Sequence, residues 1–328
     1  MMLVAVLVML AKMAVLLGVV LTLAAYLVLL ERKLLGRMQV RYGPNRAGPF
    51  GLLQPLADTV KMLLKEDIVP PGADRFIFLF APAVVAGATL LAFAAVPFGP
   101  PLTLFGHQVP MVITDMNVGL LFLLGLSSLS VYGVTLAAWS SDNKYSLLGG
   151  IRGAAQMISY ELPLALALVP VVMQAKSLNL TAIVAAQQGC WFVLTQPLAF
   201  LIFLISAMAE SKRIPFDLPE AESELMAGFH TEYSGMRFGL FFLGEYVNMI
   251  LIGALMAIFF LGGWSGPWLP PMVWFFLKVM CVPVFLIWTR ASLPRLRYDQ
   301  LMSLGWKGLT PLALVNILAT AAVLVIRG

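Results

Sequence analysis

Eight stretches of roughly twenty apolar residues decide most of what this chain can fold into. They lie near 3–30, 75–97, 116–139, 155–175, 189–209, 239–261, 270–290 and 308–327. Lipid offers no partners for backbone N–H and C=O groups, so each stretch must satisfy its own as a helix. Charged residues make up 11% of the chain, whereas a soluble domain carries about 25% to cover its surface in water. The expectation is an all-α integral membrane protein of about eight transmembrane helices, with residues 1–328 forming one transmembrane domain. Pro- and Gly-rich breaks, such as Pro97-Phe98-Gly99-Pro100-Pro101 and the segment from Gly262-Gly263 to Pro270-Pro271, separate several spans.

The loops alternate in charge. Counting odd loops, 31–74 holds seven basic residues, 140–154 two, 210–238 three, and 291–307 with Arg290 at its edge four, sixteen in all against Lys176 alone in the even loops. By the positive-inside rule the basic loops face the cytoplasm and both termini lie outside. The apolar N-terminus has no basic region before it, and its basic cluster, Arg32, Lys33 and Arg37, comes after it. That order reads as a retained first helix rather than a cleaved signal peptide. The net charge of +5 thus belongs to topology and does not point to nucleic acid. Cys190 and Cys281 both sit in apolar stretches and read as small buried hydrophobes. With no CxxC, and with His107 and His230 far apart, no metal or iron–sulfur ligand set is expected on this chain.

Two basic loops are too long to be simple connections. In the first, Leu53, Leu56, Val60, Leu63 and Leu64 fall at helical spacing between Pro49 and Lys65, with Asp58, Lys61 and Lys65 opposite. This predicts an amphipathic helix at the membrane surface, serving either as packing or as a gate to a lipid-facing cavity. The second runs from Ile214 through Phe216 to Glu224. Asp217 with Glu220 fits a capping box. With Glu222 and Glu224 added, there are four acids in eight residues, read either as a solvated helix start or as a wall of carboxylates facing a partner or a proton path.

Glu161, Glu210 and Glu245 stand near or inside spans, in the basic-loop half of the bundle and close to Glu31. From the hydropathy boundaries Glu161 and Glu245 lie about six residues, roughly 9 Å, deep. An ionisable group in the bilayer is costly and is a functional candidate, because burial can bring a carboxylate toward neutral pH, where it exchanges protons. The alternative is static pairing with Arg213, Arg237 or Lys278. Lys278, mid-helix in the seventh span, is expected to be a buried partner or relay.

At these residues the chain resembles a known family. The run from Glu31 through Gly43-Pro44-Asn45-Arg46 is similar to the signature after the first helix of the H subunit of proton-pumping NADH:quinone oxidoreductase, respiratory complex I. Ala57-Asp58 to Lys65-Glu66-Asp67, Trp139 to Ser146, and Ser159-Tyr160-Glu161 continue it. So do Pro215 to Glu224, Glu232-Tyr233-Ser234-Gly235, Arg290 to Arg295, and Tyr298-Asp299. The likeness covers essentially the whole chain. It implies a membrane subunit of a multisubunit translocase in an energy-converting membrane, the bacterial inner membrane foremost. Loops 31–74 and 210–238 would join two peripheral-arm subunits around a chamber for ubiquinone or menaquinone. Glu31, Arg32, Arg41, Arg46, Asp58, Lys65 and Phe216 would line the chamber or its entrance. Glu161, Glu210, Glu245, Asp217, Glu220, Glu222, Glu224 and Lys278 would relay protons toward small and antiporter-like membrane subunits. FMN and iron–sulfur clusters would sit only on partners.

Three rivals remain at this point. The membrane anchor of a membrane-bound hydrogenase or formate hydrogenlyase has a similar plan, but the Gly43–Arg46 run and the acidic loop favour complex I. A self-contained cation–proton antiporter would carry inverted repeats and broken helices, for which large asymmetric loops are a poor match. A purely structural anchor would tolerate loss of its carboxylates.

Overall fold

The computed structural model describes residues 2–104, 107–220 and 225–327. Among the described residues, seven helices are long and apolar enough to cross a membrane, and the chain is an all-α membrane protein. α1 is Met2–Met38, α2 Gln54–Leu64, α3 Arg75–Ala92, α4 Gly119–Ser140 and α5 Lys144–Ala175. Two short helices follow, α6 Leu180–Ala186 and α7 Phe192–Thr195, then α8 Pro197–Glu210. α9 is Gly235–Phe259 and α10 Pro271–Ser292. The last span joins α11, Tyr298–Ser303, through a π-helical turn, Leu304–Leu309, to α12, Thr310–Arg327. A small antiparallel hairpin of β1 (Leu102–Leu104) and β2 (His107–Val109) interrupts the loop before α4.

Polar side chains set several starts. Asp74 accepts from the Ile77 N–H at 3.3 Å, and Asn143 from the Tyr145 N–H at 2.8 Å. Each satisfies a donor that the first helical turn leaves without a partner. The Asn143 cap makes α5 begin well before position 155, so Glu161 lies near the middle of a long helix rather than near its end. The hydropathy reading missed the earlier turns because Gly149, Gly150, Arg152 and Gly153 dilute the apolar signal. Those glycines are a packing face: a Cβ at Gly149 would meet the Gly228 backbone at 2.9 Å, and one at Gly150 the Ala138 Cβ at 2.1 Å.

The fifth expected span, 189–209, is divided. Gln196 sits between α7 and α8 with φ −133° and ψ 54°. The residue before a proline is pushed out of the α region, and Pro197 has no N–H to continue the ladder. Buried Gln196 uses the break: its Nε2 donates to Thr320 Oγ1 at 3.0 Å, and its Oε1 accepts from Asn316 Nδ2 at 3.2 Å. The apolar remainder, Pro197–Glu210, is therefore short among the membrane-type helices.

Loops of like parity meet. Ser140 O accepts from the Asp74 N–H at 3.2 Å, Asn143 Nδ2 donates to Glu232 at 2.6 Å, and the Leu296 N–H donates to Pro215 O at 3.1 Å. The even loops gather likewise: Leu178 O accepts from the Leu120 N–H at 3.1 Å, and Gln187 Oε1 from the Gly262 N–H at 2.9 Å. The charge alternation in sequence is thus matched by two ends of one bundle. Side chains such as Val15, Leu318 and Val325 stand exposed on α1 and α12, as a lipid-facing surface requires. Cys190 and Cys281 are exposed as well, against the expectation of burial. An apolar neighbourhood in a membrane protein does not distinguish a lipid-facing position from a core one, because lipid tails are as apolar as Leu.

Candidate functional site

α1, α5, α8 and α9 bring their charged residues together at the basic-loop end, around the turn that follows α8. Glu31, on the last turns of α1, is 2% exposed. Arg213 Nη1 donates to both its oxygens, at 3.0 and 3.2 Å, and the Tyr246 hydroxyl donates to Oε2 at 2.7 Å. Arg290 Nη1 donates to Oε1 as well. Two arginines and a phenol thus surround one buried carboxylate, and charge-assisted hydrogen bonds of this kind offset part of the water lost on burial.

Arg213 also lies over the Tyr246 ring, its guanidinium carbon 4.6 Å from the centroid. Its Nη2 is 3.7 Å from Glu245 Oε2, an ion pair without a hydrogen bond, and its Nε is buried without a hydrogen-bond partner. Burial pushes the Arg213 pKa down, but Tyr246, Glu31 and Glu245 outweigh that, and it stands raised.

Lys212, 6% exposed, adopts a left-handed φ of 54° and places its ammonium 5.3 Å from the Phe229 ring centroid. Burial lowers its pKa, opposed by Glu245, Glu220 and Glu210. It therefore stands among three of the expected relay carboxylates. Glu220 lies close enough to Glu245 for the two carboxyl groups to act on each other. Glu220 Oε1 is also 3.9 Å from His230 Nδ1. Glu210, 8% exposed, feels the charges of Glu161 and Lys212. Half-buried Glu161 accepts a hydrogen bond from Ser128 on α4.

Asp217 takes a different role from the one its spacing implied. Residues 217–220 are irregular rather than helical, so the expected capping box does not form there. Its Oδ2 instead accepts from Arg295 Nη2 at 3.0 Å. Burial raises its pKa to about 6, with Arg295 pulling it down and Glu245 pushing it up. Glu222 and Glu224 lie outside the described residues.

Other expected site residues fall elsewhere. Phe216 is in the core, its ring 5.6 Å from that of Tyr160. Gln156 Nε2 donates to the Phe216 and Ala209 carbonyls at 2.7 Å each, so Phe216 fastens the loop to α5. Lys278 is not near the carboxylates. Its Nζ donates to Leu261 O at 2.5 Å, Gly263 O at 3.0 Å and Ser265 O at 2.6 Å, at the even-loop end. The helix it sits on runs from the even loops toward the basic ones, which puts its first turns at the far end.

The surface segment forms a 3₁₀ turn at Pro49–Gly51 followed by α2. None of α2's residues is buried, and Leu56, Leu63 and Leu64 are more than half exposed. Arg32 Nη1 pairs with Asp58 Oδ2 at 2.6 Å, and Gln54 Nε2 donates to Asp58 Oδ1 at 2.9 Å. Arg41, Arg46 and Lys65 are exposed.

Comparison with known proteins matches this architecture to one family. A family model described as NADH dehydrogenase covers residues 11–321. The NADH-quinone oxidoreductase H subunit, form 2, of Syntrophobacter fumaroxidans is 68% identical over 96% of this chain and 96% of its own length. The chain belongs to the NADH-quinone oxidoreductase H-subunit family. Form 1 of the same subunit in Geobacter metallireducens is 65% identical over 97% of both chains. The more distant relative in Protochlamydia amoebophila, of the same name, is 50% identical over 92% of both. These full-length matches set aside the hydrogenase-anchor and antiporter readings as family assignments. In this NADH-quinone oxidoreductase chain, the residues that sequence reasoning left out are Lys212, which feels the charges of three carboxylates, and Tyr246 and Arg290, which complete the shell of Glu31.

Proposed function

We propose that this chain is the membrane subunit at which quinone reduction is coupled to proton movement in a proton-pumping NADH:quinone oxidoreductase of the bacterial inner membrane. The observation that carries the reading is the chain of ionisable groups from Glu161 through Glu210, Lys212, Glu220 and Glu245 to Arg213 and Glu31. Isolated ions in a bilayer are costly, and a purely structural anchor has no need of so many at one end.

Reduction of a quinone consumes two electrons and two protons and yields the quinol. Electrons come from NADH by way of flavin and iron–sulfur clusters on partner subunits. This chain's part is protonic and electrostatic. Loops 31–74 and 210–238 contribute with two peripheral-arm subunits to a quinone chamber, and the exposed leucines of α2 meet lipid at its entrance. Proton uptake by the quinone leaves negative charge near the Asp217–Glu220 loop. The Glu220–Glu245 pair responds by drawing or releasing a proton through Lys212, Glu210 and Glu161. Arg213 and Arg290, fixed on Glu31, hold the opposing charge still. From there the change passes to small and antiporter-like membrane subunits.

The test is a mild-detergent purification of the tagged chain from its native membrane. Inhibitor-sensitive NADH:quinone reductase activity co-purifying with flavin and iron–sulfur subunits is the expected result. Hydrogenase activity, or recovery of the chain without redox partners, would refute it.

A further inference from the structure

The expected relay carboxylates run from the basic-loop end of the bundle to Glu161 near its middle, and the other end holds a buried cation. Lys278, 6% exposed, gives hydrogen bonds to three backbone carbonyls, those of Leu261, Gly263 and Ser265. An ammonium has three N–H donors and a neutral amine two, so three acceptors fit the charged form. Two indole rings flank it, with Nζ 4.3 Å from the Trp191 centroid and 5.7 Å from that of Trp274. The carbonyls belong to the turn that ends α9, where the helix dipole is negative and favours a cation.

The turn is itself held. Gln187 Oε1 accepts from the Gly262 and Phe192 N–H groups at 2.9 and 3.3 Å, and its Nε2 donates to Ile258 O at 2.7 Å. Gly262 and Gly263 have φ of 70° and 55°, conformations open to residues without a Cβ. A Cβ at Gly262 would lie 2.7 Å from Trp191 Cδ1, and one at Gly263 2.7 Å from Val184 Cγ2. Backbone, rings and ammonium form one close-packed cap.

We infer that Lys278 is an electrostatic plug that closes the even-loop end of the bundle to protons, so that the carboxylate network opens toward the basic-loop side alone. A fixed positive charge at a buried position repels an incoming proton. At about 10 Å and an effective dielectric near 20, one unit charge slows a passing proton by about tenfold. Carbonyls alone would attract cations at this spot, and the tethered ammonium occupies the place that a mobile one would take. The inference rests on the proposed protonic role of the carboxylates, without which there is no path to close.

The experiment uses the intact complex reconstituted in liposomes, with Lys278→Gln and Lys278→Met. Gln keeps two donors for the carbonyls and removes the charge, whereas Met removes both. Passive proton flux is measured under an imposed gradient without NADH, alongside NADH:quinone turnover. The expected result is a rise of about tenfold in passive flux in the Gln complex, with quinone turnover retained. Unchanged flux in an assembled Gln complex overturns the plug. So does a tight Gln complex beside a Met complex that fails to assemble, since Lys278 would then be only a staple. Full pumping in a Glu245→Gln complex would count against the proposed function instead, and it is read in a separate channel.

Discussion

Replacing Glu31 with Gln removes the charge around which Arg213, Arg290 and Tyr246 are arranged. The Glu31 side chain is 3% exposed and that of Arg213 9%, so little solvent reaches the vacated guanidinium. Of its two carboxylate partners Arg213 would keep Glu245 alone, at 3.7 Å and without a hydrogen bond. Breaking a buried pair by deleting one partner costs about 3–5 kcal/mol. Arg290 adds little to that figure, because its side chain is 36% exposed and screened. With an unfolding entropy of about 2.1 cal/mol/K per residue, a chain of this length has about 0.7 kcal/mol/K, so the thermal midpoint should fall by about 4–7 °C. The assay is thermal inactivation of the purified complex, with turnover as a second readout. Arg213→Met combined with Glu31→Gln removes both charges of the pair, and replacing a buried pair with apolar groups is often neutral. The double variant should therefore be more stable than the sum of the single losses by about 2 kcal/mol. If the single effects add within about 0.5 kcal/mol, the two residues are not coupled and the account of Glu31 as the anchor of the network fails.

Glu161→Gln should leave the complex assembled and lower both coupled quinone reduction and proton movement, and full turnover with full pumping would end its assignment as a relay. Asp217→Asn should remove an acid-side step near pH 6 from the turnover profile, matching the raised pKa of about 6; an unchanged profile would deny Asp217 a part in it. The sign for stability is the reverse of an ordinary ion-paired carboxylate. The fold holds this proton more tightly than the unfolded chain does at 3.8, so the contribution is complete below that value and is lost as pH rises through about 6. Gly253→Ala would place a Cβ 2.4 Å from Val279 O, which should push α9 from α10 and cost about 1–3 kcal/mol, seen as a lower thermal midpoint; no change would mean that the two helices separate freely.

The spans and their alternation were legible because hydropathy and loop charge are local properties. Local signals also missed where packing took over. Small residues for close contact are poor hydropathy markers, which hid the first turns of α5. Pro197 stood in plain view inside an apolar run, but the buried role of Gln196 depends on Asn316 and Thr320, more than a hundred positions away. The carboxylates could be singled out as costly ions. Their arrangement could not, because the partner of Glu31 is Arg213, 182 positions along the chain. Nothing in the local sequence distinguishes Lys212 from a solvated base at a helix end. Phe216 is the converse case: its motif drew attention to the ring, and whether a ring faces a cavity or a core is a tertiary question.

The glycine face of α5 has a mechanical consequence. Gly149 abuts the Gly228 backbone, and a Cβ at Gly153 would meet Pro219 Cγ at 3.1 Å. Main chain and ring thus rest on main chain along this seam, with no long side chain between them to flex as a cushion. Displacement of the Asp217–Glu220 loop would then be passed to α5 as by a stiff strut, without the slack that rotamer changes provide. Glu161 rides on that same helix. A push delivered at the loop would reach Glu161 through this packing, without an ionic contact between the two.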